Sequence, residues 1–158
     1  MDRITLFALL FFALGCVSID GGAVEASWKV VTHDGRAISD CGCTCPPIAK
    51  IRLQLMPLSG GSDPCVGATA CQFSCNLQSG ATLFNIPPGS YAVSLVPVGA
   101  DGSNITHGEV GTCSAGALLA PMVRDVIKGR VTQLDALTML ADCAADCGGS
   151  NNNNVCTK

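Results

Sequence analysis

Cysteine is the residue type with the most chemistry to offer: there are 11 among 158 residues. Cys41-Gly42-Cys43-Thr44-Cys45 is a Cys-x-Cys-x-Cys run, and Cys71/Cys75 and Cys143/Cys147 are each separated by three residues. Cys65, Cys113 and Cys156 stand apart, and Cys16 follows an apolar N-terminal stretch. Thiolates so spaced suit Zn²⁺ or Cu(I), which favour soft sulfur ligands. In an oxidising compartment the same residues form disulfides that staple loops. The disulfide reading leads, because no histidine stands near the clusters and no double Cys-x-x-Cys pair exists. Setting Cys16 aside leaves Cys41, Cys43, Cys45, Cys65, Cys71, Cys75, Cys113, Cys143, Cys147 and Cys156, an even set that can pair fully. The partners are open from sequence alone. Neighbours in the Cys41 to Cys45 run must find different partners, because cysteines two apart are poorly placed to bond each other.

Other reactive constellations are thin. His33 and His107 are the only histidines, and both read as surface residues. No Gly-x-Ser-x-Gly elbow and no local Cys-His signature occurs. Gly60-Gly61-Ser62 is a flexible loop rather than a phosphate cradle, since no Lys-Ser/Thr follows. Met56, Met122 and Met139 read as core fillers, and Asp135 as a solvent-facing carboxylate. Asn104-Ile105-Thr106 has the spacing of a glycosylation acceptor, relevant only in a eukaryotic secretory host. No catalytic residue, metal site or cofactor is expected, and the chain is not expected to be an enzyme.

Composition excludes further classes. Nine Lys+Arg against 12 Asp+Glu give a net charge of -3, with no excess to neutralise phosphates, so nucleic acid is not an expected partner. At 13% charged residues the chain lacks the Glu and Lys of heptads. At 48% hydrophobic content it can bury a core. Aromatic residues are only 4%, which disfavours glycan stacking; Trp28 and Tyr91 are the candidates for it.

Residues 4–14 are apolar except Thr5, too short for a bilayer that needs about 20 residues but the right size for a signal-peptide core. Ala13-Leu14-Gly15-Cys16 resembles the lipobox of bacterial lipoproteins, with Ala13 and Leu14 departing from its preferred residues. The resemblance implies cleavage before Cys16 and acylation of its sulfur and nitrogen. Two or three acyl chains anchor firmly where one binds marginally. Val17 in place of Asp implies, by resemblance to Gram-negative lipoproteins, the outer membrane. The odd cysteine count points the same way, since a lipidated Cys16 leaves none unpaired.

The expected organisation is a signal peptide over 1–15, a lipidated cysteine and short tether over 16–26, one domain over 27–147 and an Asn-rich tail over 148–158. Trp28 to Thr32 reads as a strand, and Asp34-Gly35 as the hairpin turn after it. Ile51, Leu53 and Leu55 alternate with Arg52, Gln54 and Met56, as in a strand with one buried face. Thr82 to Ile86 and Tyr91 to Val96 read as strands around a Pro87-Pro88-Gly89 turn. A turn over 99–104 follows. Val131 to Leu140 reads as a late strand with Leu134 and Leu140 on one face, although Ala136 to Ala145 could score as a short helix. About seven short strands predict an all-β fold, a single small β-sandwich with disulfide-stapled loops.

Ala81 to Leu95, with Asn85-Ile86-Pro87-Pro88-Gly89-Ser90-Tyr91 at its centre, resembles the signature of carboxypeptidase regulatory-like (transthyretin-like) domains. Val30 to Ile38 is similar to their opening strand and Asp-Gly turn, and Arg52 to Leu55 to their second strand. The resemblance spans about Lys29 to Val98, with Val131 to Leu140 as closing strand. It implies a non-catalytic accessory or adhesion-like module. The cysteine-bearing insertions at Cys41 to Cys45 and Cys65 to Cys75 depart from the typical module. The expected protein is an outer-membrane lipoprotein of the cell envelope. Its domain is a binding or structural module for another envelope protein, a glycan or a host surface. Two alternatives are a metal- or thiol-handling protein using Cys41, Cys43 and Cys45, and an unanchored secreted Cys-rich effector or inhibitor.

Overall fold

The computed structural model describes residues 19–31, 35–44, 47–105, 114–115 and 120–142. The fold is an all-β sandwich of two sheets packed face to face. Strand β1 (Ala23–Val31) forms the spine of the first sheet. Val24, Ala26, Trp28 and Val30 are buried on one face, because successive strand side chains point to opposite sides. The strand begins at Ala23, so residues 23–26, expected in the tether, belong to the sandwich.

Four short strands flank β1. Its first half pairs antiparallel with β5 (Ser79–Ala81) and parallel with β9 (Val131–Gln133). Its second half pairs antiparallel with β2 (Ala37–Ile38) and parallel with β10 (Leu137–Asp142). A further strand, β7 (Ser114–Ala115), pairs antiparallel with β10. The antiparallel return Val30↔Ile38, Val31↔Ala37, with Gly35 at φ 85°, fits the expected Asp-Gly hairpin; Thr32, His33 and Asp34 lie outside the described residues.

The second sheet is antiparallel in the order β4 (Gln72–Ser74), β3 (Lys50–Pro57), β6 (Gly89–Val98), β8 (Met122–Val126). Strands β3 and β6 pair from Lys50↔Val98 to Pro57↔Tyr91. Their inward rows, Ile51, Leu53 and Leu55 against Val93 and Leu95, meet Val24, Trp28, Leu137 and Met139 of the first sheet in one core.

Three expectations need correction. The late strand is broken: Glu25 pairs with Gln133 but Trp28 with Leu137, three steps on β1 for four on its partner. One extra residue between β9 and β10 reverses the alternation, as in a bulge. The core face of β10 is therefore Leu137, Met139 and Ala141, while Leu140 is only half-buried. The same stretch is strand rather than helix over Leu137–Asp142. The expected strand from Thr82 to Ile86 ends before it starts, because β5 closes at Ala81. The Thr82 hydroxyl accepts from the Val24 N–H at 2.9 Å and donates to the Leu83 carbonyl at 3.1 Å. The chain then turns at Phe84 and Asn85, and Ile86 returns as a single bridge to Gly22. Finally, Met56 is exposed rather than core-filling. It is out of phase with Leu55 and lies on the outer face in a row with Ala92 and Val123.

The Pro87-Pro88-Gly89 turn sets up Tyr91, whose buried ring sends its hydroxyl back to the Pro87 carbonyl at 2.7 Å. Such a corner fixes the angle at which a strand enters a sandwich. Tyr91→Phe should cost about 1 kcal/mol, the usual net worth of such a bond. Burial first, and then the Asp63 carboxylate, raise the Tyr91 phenol above its ordinary 10.0. Above pH 10 the unfolded phenol ionises while the folded one keeps its proton, so stability should fall as pH rises. Urea titrations of both proteins should show that alkaline loss shrinking in Tyr91→Phe; an equal loss would refute this role.

Candidate functional site

Two regions merit consideration: the cystine-pinned flank and the end of the sandwich where β1 begins. The flank is built on Cys41, Cys65, Cys71 and Cys75, all buried. Cys41 bonds Cys75, and Cys65 bonds Cys71. Cys71 and Cys75, with three residues between them, are thus joined to different partners.

A 3-10 turn at Cys41–Cys43 carries the first half-cystine, capped by the Asp40 carboxylate, which accepts from the Gly42 N–H at 2.9 Å. A matching turn at Cys75–Leu77 carries the second. The two are laced together beyond the sulfurs. Asn76 Oδ1 accepts from the Cys41 N–H at 2.8 Å, and its Nδ2 donates to Asp40 at 3.3 Å. Thr44 donates its hydroxyl to the Cys41 carbonyl at 2.7 Å and accepts from the Ile48 N–H at 2.9 Å. Trp28 anchors this arrangement to the core, with Nε1–H donating to the Cys75 carbonyl at 3.0 Å and the indole stacked on Phe73 at 6.1 Å.

The Cys65–Cys71 disulfide closes a smaller loop. Asp63 precedes it, and one carboxylate oxygen accepts from the Cys65 N–H at 2.8 Å and from the Leu55 N–H at 3.1 Å. Because β4 pairs only with residues 50–52, Asp63 caps the stretch of β3 edge that β4 leaves open. Sequence reasoning missed Asp63, Asn76 and Thr82 as positioning residues. Asp63 had a local signal, an Asx turn into Pro64-Cys65; Asn76 acts on a residue 35 positions away and had none.

This chemistry is structural. A disulfide sulfur is not a thiolate ligand, so with Cys41 bonded to Cys75 the Cys41, Cys43 and Cys45 set does not offer three thiolates. Among the described residues no group of three His, Cys, Asp or Glu converges as a metal site would require. Trp28 and Tyr91, the candidate stacking rings, lie inside the core. Asp135 is exposed, as expected, and pairs with Arg124 at 2.8 Å; such exposed pairs contribute about 0–1 kcal/mol. At the 99–103 turn, hydrogen bonds from the Ser103 hydroxyl and N–H hold the Asp101 carboxyl below its ordinary value. Cys16, Cys45, Cys113, Cys143, Cys147, Cys156, His33 and His107 lie outside the described residues, as does the side chain of Cys43.

The second region is polar in backbone and apolar in side chain. Gly21 donates to the Phe84 carbonyl at 3.1 Å and accepts from the Gly129 N–H at 2.9 Å. Gly22 exchanges bonds with Ile86 at 2.9 and 3.1 Å. A Cβ on Gly22 would lie 2.5 Å from the Ile127 carbonyl oxygen, so only glycine fits. The incoming chain is thereby clamped between the 83–86 loop and the 127–130 turn. These three segments expose Ile19 (43%), Leu83 (65%), Phe84 (39%) and Ile127 (51%). Leu58 (56%) stands at the same end, its N–H bonded to the Ser90 carbonyl.

No family model, curated protein or solved structure matches this chain.

Proposed function

We propose that the chain is a cell-envelope lipoprotein of the outer membrane, secreted through its N-terminal apolar segment and anchored by acylated Cys16. Its sandwich is a non-catalytic binding or structural module of the carboxypeptidase regulatory-like kind. The carrying observation is Cys16 itself, the odd member of 11 cysteines, placed where residues 4–14 end as a lipobox ends. Two features support the reading. Cys41, Cys65, Cys71 and Cys75 are paired, which suits an oxidising compartment. The described chain leads back toward Cys16 from one end of the sandwich, so an anchor there leaves the fold undisturbed. The partner is more readily another envelope protein than a glycan, since Trp28 and Tyr91 offer no stacking surface.

The test is Cys16→Ser in the natural host. The variant should leave the membrane fraction entirely while its thermal unfolding, measured on the purified domain, stays unchanged. Retention in the membrane fraction would refute the anchor. A wild-type protein that partitions into water rather than detergent would favour the unanchored effector instead.

A further inference from the structure

We infer that the end of the sandwich carrying Ile19, Leu83, Phe84 and Ile127 rests on the bilayer surface, with these side chains in the boundary between headgroups and acyl chains. The inference deepens the proposed function and rests on its acylated Cys16.

Chain length carries the first part of the argument. Ile19 stands three positions after Cys16, and three residue steps span at most about 11 Å when fully extended. Beyond Ile19 there is no slack: Gly21 and Gly22 are held by backbone bonds to Phe84, Ile86 and Gly129. Any lipid on Cys16 therefore holds this end within about 11 Å of the anchor point. Interfacial apolar groups sit about 5–10 Å into the headgroup boundary, which is within that reach.

Side-chain chemistry carries the second part. Exposed apolar residues scattered singly need no explanation, but grouped ones mark an interaction site. Here four lie on three segments hydrogen-bonded to one another. The opposite end is sparser: among the described residues of its turns, 35–40, 75–77 and 99–103, Leu77 is the one large apolar side chain exposed. Lys128 and Arg130 stand in the turn beside Ile127, both exposed, with Lys128 3.9 Å from Asp20. Cations beside apolar tips suit an anionic lipid surface. The cystine turn at Cys41–Cys43 follows β2, at the far end of β1. The contact would thus turn that flank away from the membrane, toward partners.

The experiment places a reporter at each end. The lipidated protein carries a single tryptophan, and Trp28 lies buried in the core, so the unsubstituted protein gives the background. Leu83→Trp and Ala100→Trp are reconstituted into vesicles of phosphatidylethanolamine and phosphatidylglycerol with brominated acyl chains, and flotation is scored alongside fluorescence. Leu83→Trp should be quenched several-fold more than Ala100→Trp, and Ile127→Trp provides a second reporter should Leu83→Trp misfold. Flotation with equal, weak quenching at both ends would overturn the membrane contact and leave the anchor standing. Failure of the unsubstituted protein to float would remove the anchor, and this contact with it.

Discussion

Removing the Cys41–Cys75 disulfide by the double change Cys41→Ala/Cys75→Ala should lower the unfolding free energy by about 4 kcal/mol, on the loop-entropy relation for disulfides. The pair closes a sequence separation of 34, whereas Cys65–Cys71 closes one of 6. The same relation gives about 2 kcal/mol for Cys65→Ala/Cys71→Ala. Domains of this size have only about 5–15 kcal/mol in total, so the first loss removes a large share. It also frees the turn that Asn76 and Asp40 lace to Cys41, whereas Asp63 still holds the smaller loop at Leu55. Urea unfolding of both double variants, with the other cysteines confirmed oxidised, measures the two losses. A smaller loss for the 41/75 pair than for the 65/71 pair would contradict the view that the long loop is what needs holding.

Trp28→Ala should cost about 3–5 kcal/mol, the range for a large aromatic truncated in a core. Three losses coincide at this residue. The cavity opens where β1 faces β3 and β6; Phe73 loses its stacking partner; and the Cys75 carbonyl loses its indole donor. Trp28→Phe keeps most of the packing and removes only the donor, so it should fall well short of the alanine change. Far-UV circular dichroism follows unfolding in both, since each lacks the only tryptophan. A loss below 1 kcal/mol for Trp28→Ala would mean that the indole does not join the flank to the core.

The parts of the sandwich legible in the sequence were those where burial on one face imposes period two. Ile51, Leu53 and Leu55 alternate with Arg52, Gln54 and Met56, so β3 could be read before its pairing was known, and the apolar run from Tyr91 to Val96 after a proline turn marked β6. The return into β2 at Gly35 and the Pro87-Pro88-Gly89 turn were legible because turn geometry admits few residue types. The break between β9 and β10 was not. A bulge shifts phase by one residue, and nothing in Leu134-Asp135-Ala136 advertises where the extra residue goes. The end of β5 was hidden for a different reason: a threonine hydroxyl took the backbone donor of Val24, and β-branched residues also favour continuing a strand. The pairing of Cys41 with Cys75 depends on how the chain folds back across a sequence separation of 34, so spacing carried no signal for it. The apolar end escaped notice because Ile19, Leu83, Phe84 and Ile127 are scattered along the chain and meet only through backbone bonds of the glycines between them.

Intact mass of the mature protein, extracted from membranes and measured before and after reduction and alkylation, tests the central claim most directly. A lipid-anchored, disulfide-stapled module predicts the mass of residues 16–158 plus two or three acyl groups, with ten cysteines alkylated only after reduction. A lipid-free mass, or cysteines that alkylate without reduction, would contradict it.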